Sequence, residues 1–300
     1  MNQLPFTKLH GLGNDYVLIN ALDSAIDDPA ALACRITDRR MGVGADGIIL
    51  VLGPEQDVQA DLRMRMFNSD GSEAEMCGNG IRCLCKYAWD HGLCRADPMR
   101  IQTAAGVLPL VHREGPDGRV REVEVDMGEP VLDAARIPVQ LPQPYDGPLV
   151  NVPLERYIPL SSLTDWMEES RLDPRMTCLS MGNPHLVLFC GHASAVPLET
   201  IGPFLEHQPI FPERVNVHFV EARAPIDVAM RTWERGSGAT LACGTGAAAV
   251  CVAGVLTERT DRQILAHLPG GDLHLRWDQA SNHVFMTGPA TEVFTGSWPL

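Results

Sequence analysis

The chain opens on alternation. Phe6–Leu9 and Tyr16–Asn20 each read as a strand, on either side of the polar turn His10–Asp15. Asp27–Arg40 then predicts a helix with Pro29 in its first turn, and the glycine turn that begins at Gly42 leads into the apolar strand Ile48–Leu52. Asp61–Glu75 alternates again: Leu62, Met64 and Met66 share one face, Arg63 and Arg65 the other, and Ser69–Gly71 makes a turn. Val107–Gly128 predicts a hairpin whose two alternating arms surround the turn residues Gly115–Gly118.

Gly128–Val150 is rich in proline and loop-like, which marks a crossing into a second unit. That unit repeats the order of parts in the first half, as strand, Asn-bearing loop, strand, C-G-x-G and helix, with little residue identity outside the cysteine turns. Its strands fall in Thr177–Cys190, Glu213–Ala222 and Asp227–Thr240. The closing stretch His283–Trp298 is strand-like and compatible with either half. The expected division is 1–127 with 287–300 for the first unit and 128–286 for the second.

The segments after the two cysteine turns both read as helices, of different character. In the first, Ile81, Leu84, Cys85, Ala88 and Trp89 form an apolar face, while Arg82, Lys86 and Asp90 occupy other faces. In the second, Ala247–Leu256 is apolar all round. A helix without a polar face must be covered on all sides, so it is expected inside a curved sheet.

Composition narrows the function classes. A chain of 300 residues, 45% apolar, buries a substantial core, and its net charge of −14 argues against a nucleic-acid partner. No apolar run approaches the roughly 18 residues of a membrane span, and the N-terminus does not read as an export signal. Nine cysteines, an odd number without a secretory signal, read as reduced thiols in a cytoplasm. Cys77, Cys83, Cys85 and Cys94 are the best zinc candidates, but no C-x-x-C pair occurs among them and three fall on one helix, so no metal is expected. Gly42–Gly47 satisfies G-x-G-x-x-G, yet it follows a helix and opens a strand, the reverse of the dinucleotide fingerprint, so no nucleotide cofactor is expected either.

The chemistry lies at the paired turns. Cys77–Gly78–Asn79–Gly80 and Cys243–Gly244–Thr245–Gly246 each put a thiol at a helix start, where unpaired N–H groups and a partial positive charge suit an anion and favour a thiolate. Glycine there lets a carboxylate approach the amides. Two such turns suit inversion at the α-carbon of an amino acid, which needs a base on one face, an acid on the other and a stabilised carboxylate. The plain alternative is two inert, buried cysteines.

Phe6–Tyr16, Met64–Arg82, Ser180–His185, Phe211–Val220, Met230–Ala247 and Met286–Gly296 together resemble the diaminopimelate epimerase family, in the same order along the chain. The resemblance implies an α+β (α/β) fold of two pseudo-symmetric domains, each a curved, mostly antiparallel sheet around a central helix, with the active site between them. It implies a cofactor-independent epimerase that interconverts LL- and meso-diaminopimelate in lysine and peptidoglycan precursor synthesis, working as a cytoplasmic homodimer. By motif, Cys77 and Cys243 are the acid/base thiols, with the capacity to oxidise to an inactive disulfide. Gly78, Asn79, Gly244 and Thr245 hold the reacting carboxylate, and Asn14 helps with the reacting amine. Asn68, Asn183, Asn216, Glu234 and Arg235 take the remote end, where Arg235 can fork onto a second carboxylate and Glu234 can neutralise a second ammonium.

Each of these residues has a plainer reading. Asn14, Asn68 and Asn183 are turn formers by type, and Glu234 with Arg235 fits a solvated pair at a strand end. Asn216 falls in mid-strand, where asparagine is disfavoured. His185 is either a structural histidine or a neighbour that poises a thiol or binds substrate. Gly47 stands where some family members carry glutamine, and Ala239 where glutamate is common, so contacts made by those side chains are absent. The rival functions are a racemase of another amino acid on the same fold, such as histidine, and a non-catalytic carboxylate-binding module.

Overall fold

A computed structural model describes residues 3–142, 145, 147–159 and 165–299. Met1, Asn2 and Leu300 at the ends of the first expected unit, and Gln143, Pro144 and Asp146 in the expected crossing, lie outside them. Two compact units are present: Met1–Asp126 with Thr287–Leu300, and Met127–Met286.

The first unit begins with β1 (Gln3–Gly11) and β2 (Asn14–Asn20), an antiparallel pair. Helix α1 (Pro29–Ile36) follows, started by Asp28, whose Oδ1 accepts from Ala31 N at 2.9 Å. It crosses to β3 (Gly47–Leu52), which runs parallel to β2; β4 (Leu62–Asn68) then pairs antiparallel with β3, and the short β5 (Glu73–Ala74) pairs with β4. Helix α2 (Gly78–Asp90) leads to β6 (Met99–Thr103), parallel to β4, and to the hairpin of β7 (Gly106–Glu114) and β8 (Val120–Asp126).

The second unit repeats this pairing scheme after a short β9 (Val152–Pro153) and α3 (Asp165–Ser170). β10 (Leu172–Ser180) and β11 (Pro184–Cys190) are antiparallel, and α4 (Leu198–Glu206) crosses to β12 (Asn216–Ala224), parallel to β11. β13 (Asp227–Glu234) and the short β14 (Gly238–Thr240) follow antiparallel. Helix α5 (Gly244–Leu256) then leads to β15 (Gln263–Leu268), parallel to β13, and its partner β16 (Gly271–Trp277). The duplication read from the order of parts is therefore a duplication of strand pairings. β17 (Val284–Pro289) pairs with β8, and β18 (Thr291–Pro299) lies antiparallel on β1, so the last strand of the chain joins the first unit.

Each sheet curves round one helix. α5 packs against β10, β11, β12, β15 and β16, and Ala247–Ala253 are buried, as its apolar surface demands. α2 departs from the amphipathic reading. Strands β1, β2, β3, β4, β7, β8 and β18 all touch it, and Arg82 and Lys86 are buried with the rest. Burial is tolerated because both cations are bonded. Lys86 Nζ donates to Asp90 Oδ2 and to Val120 O, each at 2.7 Å, and Arg82 bonds to backbone and side-chain oxygens described below. Asn216 also departs from its reading: it begins β12 instead of lying within it.

Candidate active site

In the first unit the cysteine turn meets the start of β2. Cys77 has an extended backbone (φ −141°, ψ 122°), its half-buried side chain does not cap α2, and Gly78, Asn79 and Gly80 form the first helical turn. Asn14, the first residue of β2, donates through Nδ2 to Asp46 Oδ2 at 2.7 Å. A carboxylate only accepts, so this bond turns Asn14 Oδ1 away from Asp46. That oxygen then receives Tyr16 Oη–H at 2.5 Å and Asn79 Nδ2–H at 3.1 Å, with Cys77 Sγ 3.7 Å away. Tyr16 Oη also lies 3.0 Å from Cys77 Sγ. Arg82 holds this turn from beneath: Nη1 donates to Gly78 O at 3.1 Å, Nη2 to Asn79 Oδ1 at 2.9 Å and Nε to Pro289 O at 3.3 Å. Asn68 ends β4, and its Nδ2 donates to Ser72 Oγ at 2.9 Å, closing its own turn. Gly47 pairs with both Tyr16 and Asn68, and a Cβ there would lie 2.5 Å from Phe67 O, so this backbone leaves no room for a glutamine.

In the second unit Cys243 occupies the same place at the head of α5 (φ −125°, ψ 104°), and it is buried. Its Sγ lies 3.7 Å from Thr245 Oγ1. Burial pushes the Cys243 thiol well above its usual range, and the neighbouring Glu234 carboxylate adds to the rise; the Gly246 amide and Thr245 hydroxyl oppose it weakly. The helix-start argument by itself predicts easier thiolate formation, and here desolvation outweighs it. Cys243 therefore rests as a thiol. Glu234 ends β13, and its Oε1 accepts from Thr240 Oγ1 at 2.6 Å.

The remaining candidates gather at the strand ends nearby. Asn183 Oδ1 bonds His185 Nε2 at 2.8 Å, and His185 Nδ1 bonds His218 Nε2 at 2.9 Å. Asn216 Nδ2 donates to Pro184 O at 3.0 Å, while its Oδ1 accepts from Arg235 N, also at 3.0 Å. Arg235 is exposed and donates through Nη1 to Glu213 O. Ala239, opposite Trp233 in the sheet, is exposed as well.

Sequence reasoning passed over Tyr16, Asp46, Arg82, His218 and Thr240. For two of them a signal existed, because Asn14 with Tyr16 and Asn216 with His218 are spaced i, i+2 and so share one strand face. Among the described residues, no cluster of three or more His, Cys, Asp or Glu is placed to hold a metal ion, and no helix is long and apolar enough to cross a membrane.

The fold defines a class. The chain superposes on a Bacillus anthracis protein of the PhzF phenazine-biosynthesis family with a TM-score of 0.70 at 16% identity, each chain fully covered. It also matches a predicted epimerase of Pseudomonas aeruginosa with a TM-score of 0.64 at 18% identity, over 98% of this chain and 99% of that one. Sequence then narrows the class. The profile described as Diaminopimelate epimerase matches residues 6–132 and 177–293. The diaminopimelate epimerase of Moorella thermoacetica is 48% identical over 297 residues, 98% of this chain and 99% of its own length, and that of Acetivibrio thermocellus is 45% identical with 98% of each covered. The chain belongs to the diaminopimelate epimerase family.

Proposed function

We propose that this protein is an isomerase that interconverts LL- and meso-diaminopimelate without a cofactor, pyridoxal phosphate included, in the synthesis of lysine and peptidoglycan precursors. The observation that carries the reading is the pair of free cysteines, each set at the start of a glycine-bearing helix, in a chain of this family. One thiolate removes the α-proton, and the other thiol returns a proton to the opposite face. The backbone amides of Gly78 and Asn79, and of Gly244 and Thr245, offset the charge that develops on the carboxylate. Cys243, held as a thiol by burial and Glu234, suits the proton donor for one isomer, with Cys77 as the base. The roles reverse for the other isomer. Asn14 receives the reacting amine, and Asn68, Asn183, Asn216, Glu234 and Arg235 receive the distal amino-acid group, with His185 supporting Asn183. A homodimer in the cytoplasm completes the reading.

Deuterium incorporation at the α-carbon of LL- and meso-diaminopimelate, followed in heavy water with reductant present, tests this. Cys77→Ser and Cys243→Ser are each expected to lose interconversion by at least about a hundredfold. Interconversion at the parent rate in both variants ends the two-thiol scheme. Parent-like turnover of histidine with none of diaminopimelate makes the chain a racemase of another kind, and absence of exchange with every amino acid makes it a binding module.

A further inference from the structure

The hydroxyl of Tyr16 stands between the two groups that the proposed reaction needs first, the sulfur of Cys77 and the amide oxygen of Asn14. Its geometry is over-determined on one side and free on the other. Asp46 fixes the orientation of the Asn14 amide, so Oδ1 is an acceptor only, and the 2.5 Å bond from Tyr16 must be donated by the phenol. The phenol oxygen then presents its lone pairs to Cys77 Sγ at 3.0 Å, and the partner able to donate is the thiol. Asn14 Oδ1 already receives Tyr16 and Asn79, and the Cys77 thiol reaches it more distantly at 3.7 Å. The Asn79 amide is held at its other end by Arg82 Nη2, whereas the Tyr16 O–H turns about a single bond. An ammonium arriving at Asn14 therefore displaces the phenol proton most easily.

We propose that Tyr16 is a switchable donor: when the substrate ammonium takes its place on Asn14, the Tyr16 O–H turns to Cys77 and stabilises the thiolate that removes the α-proton. The inference rests on the assignment of Cys77 as a base and of Asn14 as the amine site. The protons balance simply. The Cys77 thiol gives its proton to solvent across its half-exposed face, the phenol keeps its own, and the thiolate then takes the α-proton. The phenol stays protonated throughout, since complete burial first, and the nearby sulfur of Cys77 second, hold its ionisation well above the usual range. The other titratable or charged groups facing this pair are Asp46, behind Asn14, and Arg82 and Cys83 on α2, and all of them remain in the variant proposed here.

Tyr16→Phe keeps the buried ring and removes the one oxygen. The expected result is a fall in kcat of about ten- to a hundredfold with KM changed by less than about threefold, the loss of one hydrogen bond to a charged group. With saturating methylammonium chloride present to place a cation on Asn14, the half-maximal pH for alkylation of Cys77 by iodoacetamide, read by peptide mass spectrometry against exposed Cys34 in the same sample, is expected to lie about one unit higher in Tyr16→Phe than in the parent. A purely structural tyrosine would leave that profile in place. An unchanged Cys77 profile in a folded Tyr16→Phe protein, with Cys77→Ser inactive, overturns the switch and leaves the two-thiol reading standing. Parent activity in Cys77→Ser overturns both.

Discussion

His185 Nδ1 lies 2.9 Å from His218 Nε2, and both rings are fully buried. The pair exists because β11 and β12 run parallel with His185 opposite Asn216, which sets His218 two residues further along on the same face. The chain of bonds fixes the tautomers. Asn183 Oδ1 requires a proton on His185 Nε2, so His185 Nδ1 accepts from His218 Nε2, and His218 Nδ1 in turn accepts from the Thr232 hydroxyl at 2.9 Å. A second proton has no place in this row.

The pair predicts acid sensitivity. Burial depresses both histidines, His218 to about 3, while the unfolded chain titrates near the usual value of about 6.5. A folded-state value below the unfolded one means that this contribution to stability is complete above about pH 6.5 and is lost as pH falls. Each histidine costs up to about 1.4 kcal/mol per pH unit in that range. Tm measured by calorimetry from pH 7.5 to 5 is expected to decline, and His218→Gln to decline less steeply. Parallel slopes for the two proteins would contradict the assignment.

Arg82 predicts a structural cost at the first cysteine turn. Its guanidinium is completely buried and donates to Gly78 O, Asn79 Oδ1 and Pro289 O, so removing it strands acceptors in the core. Arg82→Met is expected to lose about 3 kcal/mol in urea unfolding. Arg82→Lys should recover less than half, because one ammonium cannot reproduce a planar fork reaching three oxygens. Full recovery by lysine would show that charge alone matters there.

Gly246 predicts a packing limit at the second turn. A Cβ at this position would sit 2.3 Å from His218 Cε1 and 3.0 Å from Cys243 Sγ. The His218 ring is bonded at both nitrogens and has no room to retreat. Gly246→Ala is expected to cost about 2 kcal/mol by thermal unfolding and to reduce activity at least about tenfold. Gly53→Ala, where an added Cβ meets nothing within 4 Å, serves as the control and should change neither. Equal behaviour of the two variants would contradict this packing limit.

Much of this protein is written locally. Alternation marks β1, β2, β4 and the β7–β8 hairpin, an apolar run after a glycine turn marks β3, Asp28 and Pro29 start α1, and the two C-G-x-G turns open α2 and α5, because each of these signals acts within a few residues. The all-apolar α5 even states its own surroundings, since no exposed position for it exists in water. The motifs also carry the family.

Short-range pattern stops at the helix wheel of α2. Arg82 and Lys86 look solvent-facing in sequence, and only strands arriving from both ends of the unit, β1 and β18 among them, close over that face. α4 escapes notice because Pro203 interrupts its pattern, and its Gly202 is explained only by the Trp233 ring lying against it. The same holds at the candidate site. Tyr16 reaches Cys77 across 61 positions of sequence, and His185 reaches His218 across 33, through the pairing register and packing of strands that no local signal specifies. Propensity and periodicity are properties of neighbours along the chain, and they determined which elements form. Which buried polar groups meet depends on the closing of each sheet around its helix, and that was decided by the tertiary structure alone.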